Sequence, residues 1–538
     1  MLKSKQFVQL NDDPTVSFES RIQRTLRELK NKKRFTEQEY STIYPSSSRP
    51  GRFYATAKRH KLPEDSTDIS QLPLRPIVSN IGTATYGLSK YLAKLLKPLS
   101  VSEYTISSTK DFVDKIKDKE VQDGYKLVSF DVSSLFTNVP LDFTINVVLR
   151  KIYRDKLIKT KIKRNEMKML LELCTKELHF AYNGKMYKQV DGVVMGNPLG
   201  PVIANIFMVE LENSIVPAMS DILTTWYRYV DDTIAFVKED QINNIISTLN
   251  NYHRDIKFTH ETEENGAISF LDVHMQRTSN NKLRLKVYRK ATCYNIYIHW
   301  NSFAPTNWKL GTLEGMIRRA YLICSEEEDL KSELSFIAHT FNTINGYPWE
   351  VIQKCQDKVK EKFSSTATNG TEEVPTENKD DDEKAQPFVI MPYAGRGGEK
   401  VMSKITKKIP ENVRPKIVYT GTKLSSFFSV KDKVKTEHLS NLVYYYQNRR
   451  DEDSDYTGET KGRYGKRIGE HQGRDKASAI VVDFQAKGLP PPSPSEFTIL
   501  GRNYTNRLKR RIAESLFIKE KKPSLNVQVD AYKLKLFN

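Results

Sequence analysis

The sequence predicts an α+β protein with more than one core, and three observations carry that prediction. Its 538 residues exceed what one hydrophobic core usually organises. Short apolar runs of strand character, KLVSFDV (126–132) and TIAFV (233–237), alternate with stretches of helical periodicity. The composition breaks once, at residues 364–386, which are polar, acidic and nearly free of large apolar side chains and read as a flexible linker.

In chain order, residues 21–33 are charged and helical in character, and residues 137–180 alternate helical stretches with the basic run KLIKTKIKR. GVVMGNPLGPVIANIFMVELE is a glycine- and proline-rich loop that enters an apolar helix over about 203–212. WYRYVDDTIAFV then reads as a strand, a turn and a strand. The helical INNIISTLNNYHRDI, the strand-like KFTHE and LRLKVYRK, and helices over about 307–360 follow.

The chemistry is carried by acids in apolar surroundings. Asp231 and Asp232 are adjacent between strand-forming residues, so their repulsion has to be offset. A double Asp alone reads as a solvated turn. Asp131, which caps a second apolar strand, supplies a third carboxylate and changes that reading. Three such groups on a rigid scaffold suit two-metal phosphoryl transfer with Mg2+ or Mn2+. Phe136, five residues after Asp131, can wall off an incoming sugar, although a Phe in an apolar strand is more often core. Gly196, Asn197 and Pro198 let backbone approach a flat partner. Arg75, and more weakly Lys58 and Lys61, can neutralise triphosphate or template charge, against the alternative of a solvated basic loop.

Composition agrees with a polyanionic partner. With 85 Lys and Arg against 66 Asp and Glu, the net charge is +19, and nucleic acid is its natural counterpart. Residues 391–538 hold 30 Lys and Arg against 16 Asp and Glu, a net of +14, so most of the excess lies beyond the linker. No uninterrupted apolar run of membrane length and no signal-like N-terminus is visible, which predicts a soluble, intracellular protein without a membrane partner. Four widely spaced cysteines indicate neither a disulfide framework nor a zinc ribbon.

The order of an Asp strand, a Gly/Pro loop with its helix, and YVDD resembles reverse transcriptases, and more narrowly the Penelope-like retroelement family. The resemblance rests on SFDVSSLFTNVPLD, GVVMGNPLGPVIANIFM, RYVDD, ISFLDVHM, the ICS of 323–325 and NGYP of 345–348, with RFYATAKRHK and PLRPIVSNIGTATYGLSKYLA upstream. It covers most of residues 50–350. It implies a right-hand polymerase of fingers, palm and thumb, with Asp131, Asp231 and Asp232 binding catalytic metal and Phe136 as the gate that selects deoxynucleotides. Thumb helices of that kind hold duplex product, a use open to Lys309, Arg318 and Arg319 unless they are simply a solvated face. The sequence departs from the family at Asn197 and Gly200, where serines are usual, and at Ala55 and Ala57, where glycine and proline are typical.

Beyond the linker, NLVYYYQ and DYTGETKGRYGKRIGEH read as strand, turn and helix, with Gly458 at the turn and Arg467 one helical turn before His471. Glu514 lies in the basic helix RLKRRIAESLFI. A tyrosine, an arginine and a metal-binding glutamate suffice for phosphodiester hydrolysis. The constellation resembles the GIY-YIG endonucleases, which Penelope-like elements often carry. By that resemblance Tyr444 and Tyr456 are the motif tyrosines, Arg467 and Glu514 are catalytic with one metal ion on Glu514, and Asn526 of PSLN is the terminal substrate-side asparagine. YTG replaces YIG, the first half lacks its glycine, and NRRDEDSD stands where the family's zinc-binding cysteines would be. Tyr445 and Tyr446 blur the register of the first tyrosine, and each can equally be a packed strand residue.

The expected organisation is an N-terminal and fingers region (1–120), a palm with part of the fingers (121–290), a thumb-like helical region (291–362), a linker (363–387), a connector (388–435) and a GIY-YIG-like domain (436–538). The expected function is RNA-directed DNA synthesis by a mobile element, primed at a nick made by its own nuclease and ending in DNA integration. RNA template, DNA primer, target DNA and dNTPs are the expected partners, and the nucleus the expected location. The alternatives are a polymerase whose C-terminal domain only binds DNA, an inactive nucleic-acid-binding relic, and a group II intron maturase-like protein. Template identity, target preference, oligomeric state and the completeness of the N-terminus stay open at this level.

Overall fold

A computed structural model describes residues 7–58, 72–190, 192–369, 387–423, 427–429, 431–451 and 453–526. The chain divides into two compact units, one of Met1–Ser100, Phe136–Met208 and Val430–Asn538, the other of Val101–Leu135 and Val209–Ser429.

The second unit is built on a four-stranded antiparallel sheet in the order Leu223–Tyr229, Asp232–Lys238, Tyr125–Val132, Phe258–Thr262. Thr233 to Val237 are all buried, as expected of a central strand covered on both faces. Leu127, Ile234 and Phe236 pack with Phe112 and Ile116 of the helix Thr109–Ile116, and with Phe270 and Met275 of the meander Ala267–Phe270, Val273–Arg277 and Leu283–Val287. ISFLDVHM is therefore the first hairpin of that meander.

The helices Thr306–Ile323, Glu327–Thr343 and Trp349–Asn369 close around Leu313, Ile317, Phe341, Tyr347 and Val359. NGYP clasps them. Asn345 Nδ2 donates to the carbonyls of Thr340 and Asn295, each at 3.1 Å, its Oδ1 accepts from the Tyr297 amide at 2.7 Å, and the Tyr347 hydroxyl donates to the Ile298 carbonyl at 2.9 Å. The last helix continues to Asn369, past the expected start of the linker, because nothing in SSTATN forbids another turn; residues 370–386 of that linker lie outside the described residues. The expected connector instead holds a parallel pair, Phe388–Pro392 with Lys416–Thr420, bridged by the helix Gly395–Lys407. Glu399 fixes this element to the start of Thr306–Ile323, accepting from the Thr306 amide at 2.9 Å and its hydroxyl at 2.8 Å.

In the first unit, a five-stranded sheet runs Phe7–Leu10, Lys185–Gln189, His179–Tyr182, Gly51–Ala57, Leu74–Ser79. Phe53, Val78, Phe180 and Val194 form its core. The helix Thr15–Asn31 buries Phe18, Ile22, Leu26 and Leu29 at three- and four-residue spacing, together with Glu19. The C-terminal part forms a three-stranded sheet in the order Asp455–Thr460, Leu442–Gln447, Phe497–Gly501, with Leu442, Tyr444, Tyr446, Ile480, Phe484 and Phe497 in its core. Tyr445 faces away and donates to Asp455 at 2.7 Å, which settles the register that three successive tyrosines leave open.

The helix Gly200–Ile215, taken to Met219, is long and apolar enough by composition to cross a bilayer, a feature the sequence reading passed over. Its Ile203, Ile206, Phe207 and Met208 are buried in protein. The loop before it explains its glycines. Gly192 has a φ of +71°, and a Cβ there would stand 2.2 Å from the Thr137 carbonyl oxygen; Gly196 has a φ of +108°, and its Cβ would stand 2.3 Å from that of Val78. Replacing Gly192 by Ala is expected to cost on the order of 2–4 kcal/mol, since backbone on both sides has to move. Urea unfolding checks it, and an unchanged midpoint would show that the loop has room.

Candidate active sites

The antiparallel register between Tyr125–Val132 and Asp232–Lys238 sets Asp131 opposite Asp232. Asp231 sits in the turn that joins Leu223–Tyr229 to Asp232–Lys238. Val230, its neighbour in that turn, has a φ of +60°, a left-handed conformation that a β-branched residue adopts only under constraint.

The constraint is a buried ion pair. Arg228 Nη1 donates to the Val230 carbonyl at 3.0 Å, while its Nε and Nη2 engage Glu212 at 2.5 and 3.1 Å. Both side chains are 0% exposed. Trp226 Nε1 donates to the same carboxylate at 3.2 Å and Ser102 Oγ at 3.4 Å. The Arg228 backbone is tied on its other edge, its amide to the Tyr104 carbonyl and its carbonyl to the Ile106 amide. Sequence reading missed this pair, although Arg228 is the one charge in WYRY and Glu212 ends the largely apolar IFMVELE.

Partial desolvation, then the charge of Asp231, then that of Asp131 raise the Asp232 carboxyl from 3.8 to about 6, with Lys290 opposing. The three acids thus repel one another within electrostatic reach. Among the described residues no group of three His, Cys, Asp or Glu side chains is already gathered as a metal cage. An oxygen-only donor set whose members repel is nevertheless what Mg2+ or Mn2+ relieves, and Asp131, Asp231 and Asp232 fit such an ion on that ground.

The remaining polymerase candidates lie in the first unit. Arg75 is exposed on Leu74–Ser79, directly across from Thr56. Lys58 is half-buried at the end of the neighbouring strand, and Lys61 lies outside the described residues. Phe136 is half-buried on a helical turn, Leu135–Asn138, and not in the strand context expected for it, because the chain leaves the sheet after Val132. Its carbonyl accepts from the Val193 amide at 2.7 Å, and the Met195 carbonyl accepts from the Val78 amide at 2.8 Å, so the Gly/Pro loop is pinned between that turn and the strand carrying Arg75. Gly196 is exposed and Pro198 half-buried.

Asn197 is a correction. It is buried, with Nδ2 donating to the Cys174 carbonyl at 2.7 Å and Oδ1 accepting from the Leu199 amide at 3.1 Å; it builds the loop and has no face for substrate. Lys309 is another, since it is buried and donates at 2.7 Å to the carbonyls of both Trp300 and Ser302. Arg318 is exposed on its helix and Arg319 half-buried.

A second constellation forms in the C-terminal part. Tyr444 lies opposite Gly458, where a Cβ would stand 2.6 Å from the tyrosine oxygen, so the glycine admits the ring. Tyr444 is 0% exposed. Its hydroxyl is shared between His471 Nε2 at 2.6 Å and Arg467 Nε at 3.0 Å, and His471 Nδ1 meets Ser478 Oγ at 2.6 Å. Burial and then the Arg467 charge push His471 down to about 3, so it is neutral. Tyr456 is half-buried and interacts with both Arg467 and Glu514. Burial and then Glu459 raise Glu514, on the helix Arg507–Lys521, to about 7. Asn526 is the third correction: its Oδ1 and Nδ2 bond the amide and carbonyl of Thr457, each at 2.8 Å, so it extends the edge strand and does not face substrate. After the strand Leu442–Gln447, Lys487 Nζ gathers Asp451 and Ser454 at 2.5 Å and Asp483 at 2.9 Å.

Residues 73–263 match the family described as Reverse transcriptase (RNA-dependent DNA polymerase), and that stretch contains all three aspartates. The chain carries a reverse transcriptase domain. Residues 296–357, the three-helix region, match the Animal helix-turn-helix domain. Among solved structures, a telomerase from Candida albicans in complex with a TWJ fragment of telomeric RNA is 11% identical over 65% of this chain and 65% of its own, with a TM-score of 0.42. The RNA-dependent RNA polymerase of bacteriophage phi12 is 14% identical over 61% and 59%, at 0.36. A truncated apo telomerase from Candida tropicalis is 15% identical over 37% and 45%, at 0.30. The chain spans less than two thirds of the length of each of these three. No curated protein matches the chain.

Two outcomes follow for the reverse transcriptase domain. Glu212→Ala removes the carboxylate that compensates the buried Arg228 charge and is expected to cost about 3–5 kcal/mol; a loss under about 1 kcal/mol in urea unfolding would show the pair to be dispensable. Asp232 holds its proton more tightly in the folded chain than in the unfolded one, so its contribution to stability is present below about pH 4 and lost as pH rises through about 6. The difference in Tm between wild type and Asp232→Asn, measured in EDTA, is therefore expected to move against the wild type across that window, and Mg2+ to reverse it above pH 6. A difference flat with pH would remove the mutual repulsion of the acids.

Proposed function

We propose that this chain is an RNA-directed DNA polymerase of a Penelope-like mobile element, and that its C-terminal module is a GIY-YIG nuclease that nicks target DNA to supply the primer. The observation that carries the reading is the pairing of Asp131 with Asp232 beside a turn held in strain by a buried ion pair, inside the reverse transcriptase domain. Asp131, Asp231 and Asp232 would hold two Mg2+ or Mn2+ ions, which supply activation of the attacking 3′-oxygen and charge stabilisation at the transferred phosphate. Arg75, exposed and always charged, binds triphosphate oxygens, with Lys58 adding charge. Phe136 presents its ring to the sugar and excludes a 2′-hydroxyl. The partners are RNA template, DNA primer, target DNA and dNTPs, in the nucleus.

In the nuclease, Arg467 stabilises phosphate charge and Glu514 would hold one metal ion. Complete burial of Tyr444 favours Tyr456 as the tyrosine that meets the water or scissile phosphate, with Tyr444 and neutral His471 orienting Arg467. The same burial supports a second reading, in which the module binds DNA without cutting it.

One protein preparation tests both halves. Extension of a DNA primer on RNA with Mg2+ and dNTPs is expected to fall at least about a hundredfold in Asp231→Ala; absence of extension by the wild type, with nucleic acid still bound, would favour an inactive binding protein. Nicking of supercoiled plasmid is expected to be lost in Glu514→Gln and Tyr456→Phe. Tight DNA binding without nicking would leave the binding-only reading standing.

A further inference from the structure

The nuclease-like module shares a compact unit with the N-terminal helix and sheet, and charged groups buried on both sides make the joint. Asp13, beside the start of the helix Thr15–Asn31, meets His438 Nε2 at 3.0 Å. Glu19, one turn further along, is ion-paired with Arg463. Ser48 lies between them in a literal sense: its amide donates to the Glu19 carboxylate at 3.4 Å, and its carbonyl accepts from Arg463 Nε at 3.0 Å. Glu19 is 5% exposed, His438 6% and Ser48 3%. At the rim, Ser47 Oγ donates to the Lys461 carbonyl at 3.5 Å, and Lys431 Nζ stands 4.6 Å above the Tyr54 ring.

Charges placed so deeply are costly unless the complementary surface is present, so such a joint selects one partner instead of adhering to many. Its two carboxylates come from the N-terminal segment, and their partners, the Arg463 guanidinium and the His438 imidazole, from the C-terminal module. These partners also occupy telling positions. Arg463 is the residue at which the helix Tyr464–Gly469 begins, and that helix carries Arg467. His438 immediately precedes Leu439, whose carbonyl accepts from the Tyr464 amide at 2.8 Å.

We infer that the N-terminal helix Thr15–Asn31 and the Ser47–Ser48 turn are the docking partner of the nuclease-like module, and that the joint of Asp13 and Glu19 with His438 and Arg463 holds nicking and synthesis in one assembly. The module is then seated, not merely tethered through the segment after Asn369. The functional half of this inference rests on the nuclease reading proposed above; the docking half does not.

The test uses the full-length chain with Glu19→Arg, Arg463→Glu and the two combined. Hydrogen exchange reads the joint without reference to activity. Each single reversal is expected to speed exchange in both 15–31 and 461–469, and the combined reversal to restore protection to both. Faster exchange confined to the segment that carries the substitution, or no restoration in the double variant, would overturn the docking. Coupling is read as label joined to the nicked strand of a target plasmid in the presence of template RNA and dNTPs. Either single reversal is expected to lower that product about tenfold, the loss of a held over a loosely tethered partner. Primer extension and nicking assayed separately should stay within about twofold of wild type, and the double variant should recover the coupled product. Glu19→Arg leaves the nuclease sequence intact, so an effect of Arg463→Glu alone would mark local damage and overturn the inference. Coupled product undiminished in both single variants, with exchange altered as expected, would overturn the coupling and leave the docking. A wild type that neither nicks nor extends would sink the functional reading, while the exchange result still decides the joint.

Discussion

Arg228 and Glu212 meet in the core of the four-stranded sheet with neither side chain exposed, and the placement of Asp231 and Asp232 depends on them. Two effects oppose that placement: partial burial and then the neighbouring acid charges, which together raise Asp232, and the left-handed backbone of Val230. Local propensity offers nothing against either, since a valine followed by two acids has no reason to turn this way. The guanidinium supplies the missing force by spending two donors on Glu212 and a third on the Val230 carbonyl. A buried pair of this kind contributes little net stability against a hydrophobic replacement. Its return is geometric, because the carboxylates arrive where the sheet register sets Asp131 opposite.

Backbone rather than side chains does the corresponding work in the Gly/Pro loop. Gly192 and Gly196 sit where a Cβ would collide with the carbonyls of Thr137 and Val78, so the loop is clamped on one side by the turn carrying Phe136 and on the other by the strand carrying Arg75. Asn197, in the middle, satisfies buried backbone groups. The asparagine has both ends of its amide occupied and a glycine starts the following helix, so the contacts available to a partner there come from Gly196 and Pro198.

How much of this was legible in the sequence follows the physics of each element. Strands ended by carboxylates, the apolar helix after the loop and the three-helix region were readable because period and burial coincide along one segment. The C-terminal constellation was readable for Tyr444, Tyr456, Arg467 and Glu514, whose spacing survives in one strand-turn-helix run and one later helix. The misses share a cause. Asn197, Lys309 and Asn526 are polar groups in conspicuous motifs, and pattern reading sends polar groups to solvent or substrate, whereas here each completes buried or edge backbone. Glu212 with Arg228, and Lys487 with Asp451 and Asp483, are pairings that only tertiary register creates. The second of these, together with Ser454, ties down the segment after the strand Leu442–Gln447.

The C-terminal module also shows why a motif tyrosine need not be a working one. Tyr444 is sealed beneath the sheet, its hydroxyl fixed by Arg467 and by a histidine that burial keeps neutral. A phenol so placed cannot reach a water, but it can fix the guanidinium, and Arg467 is held from its other side by Glu470 at 2.9 Å. Gly458 makes this possible by leaving room for the ring. The groups left at the partly open edge are Tyr456 and Glu514. Burial and then the charge of Glu459 raise Glu514 to about 7, so near neutral pH its carboxyl is poised between its two protonation states.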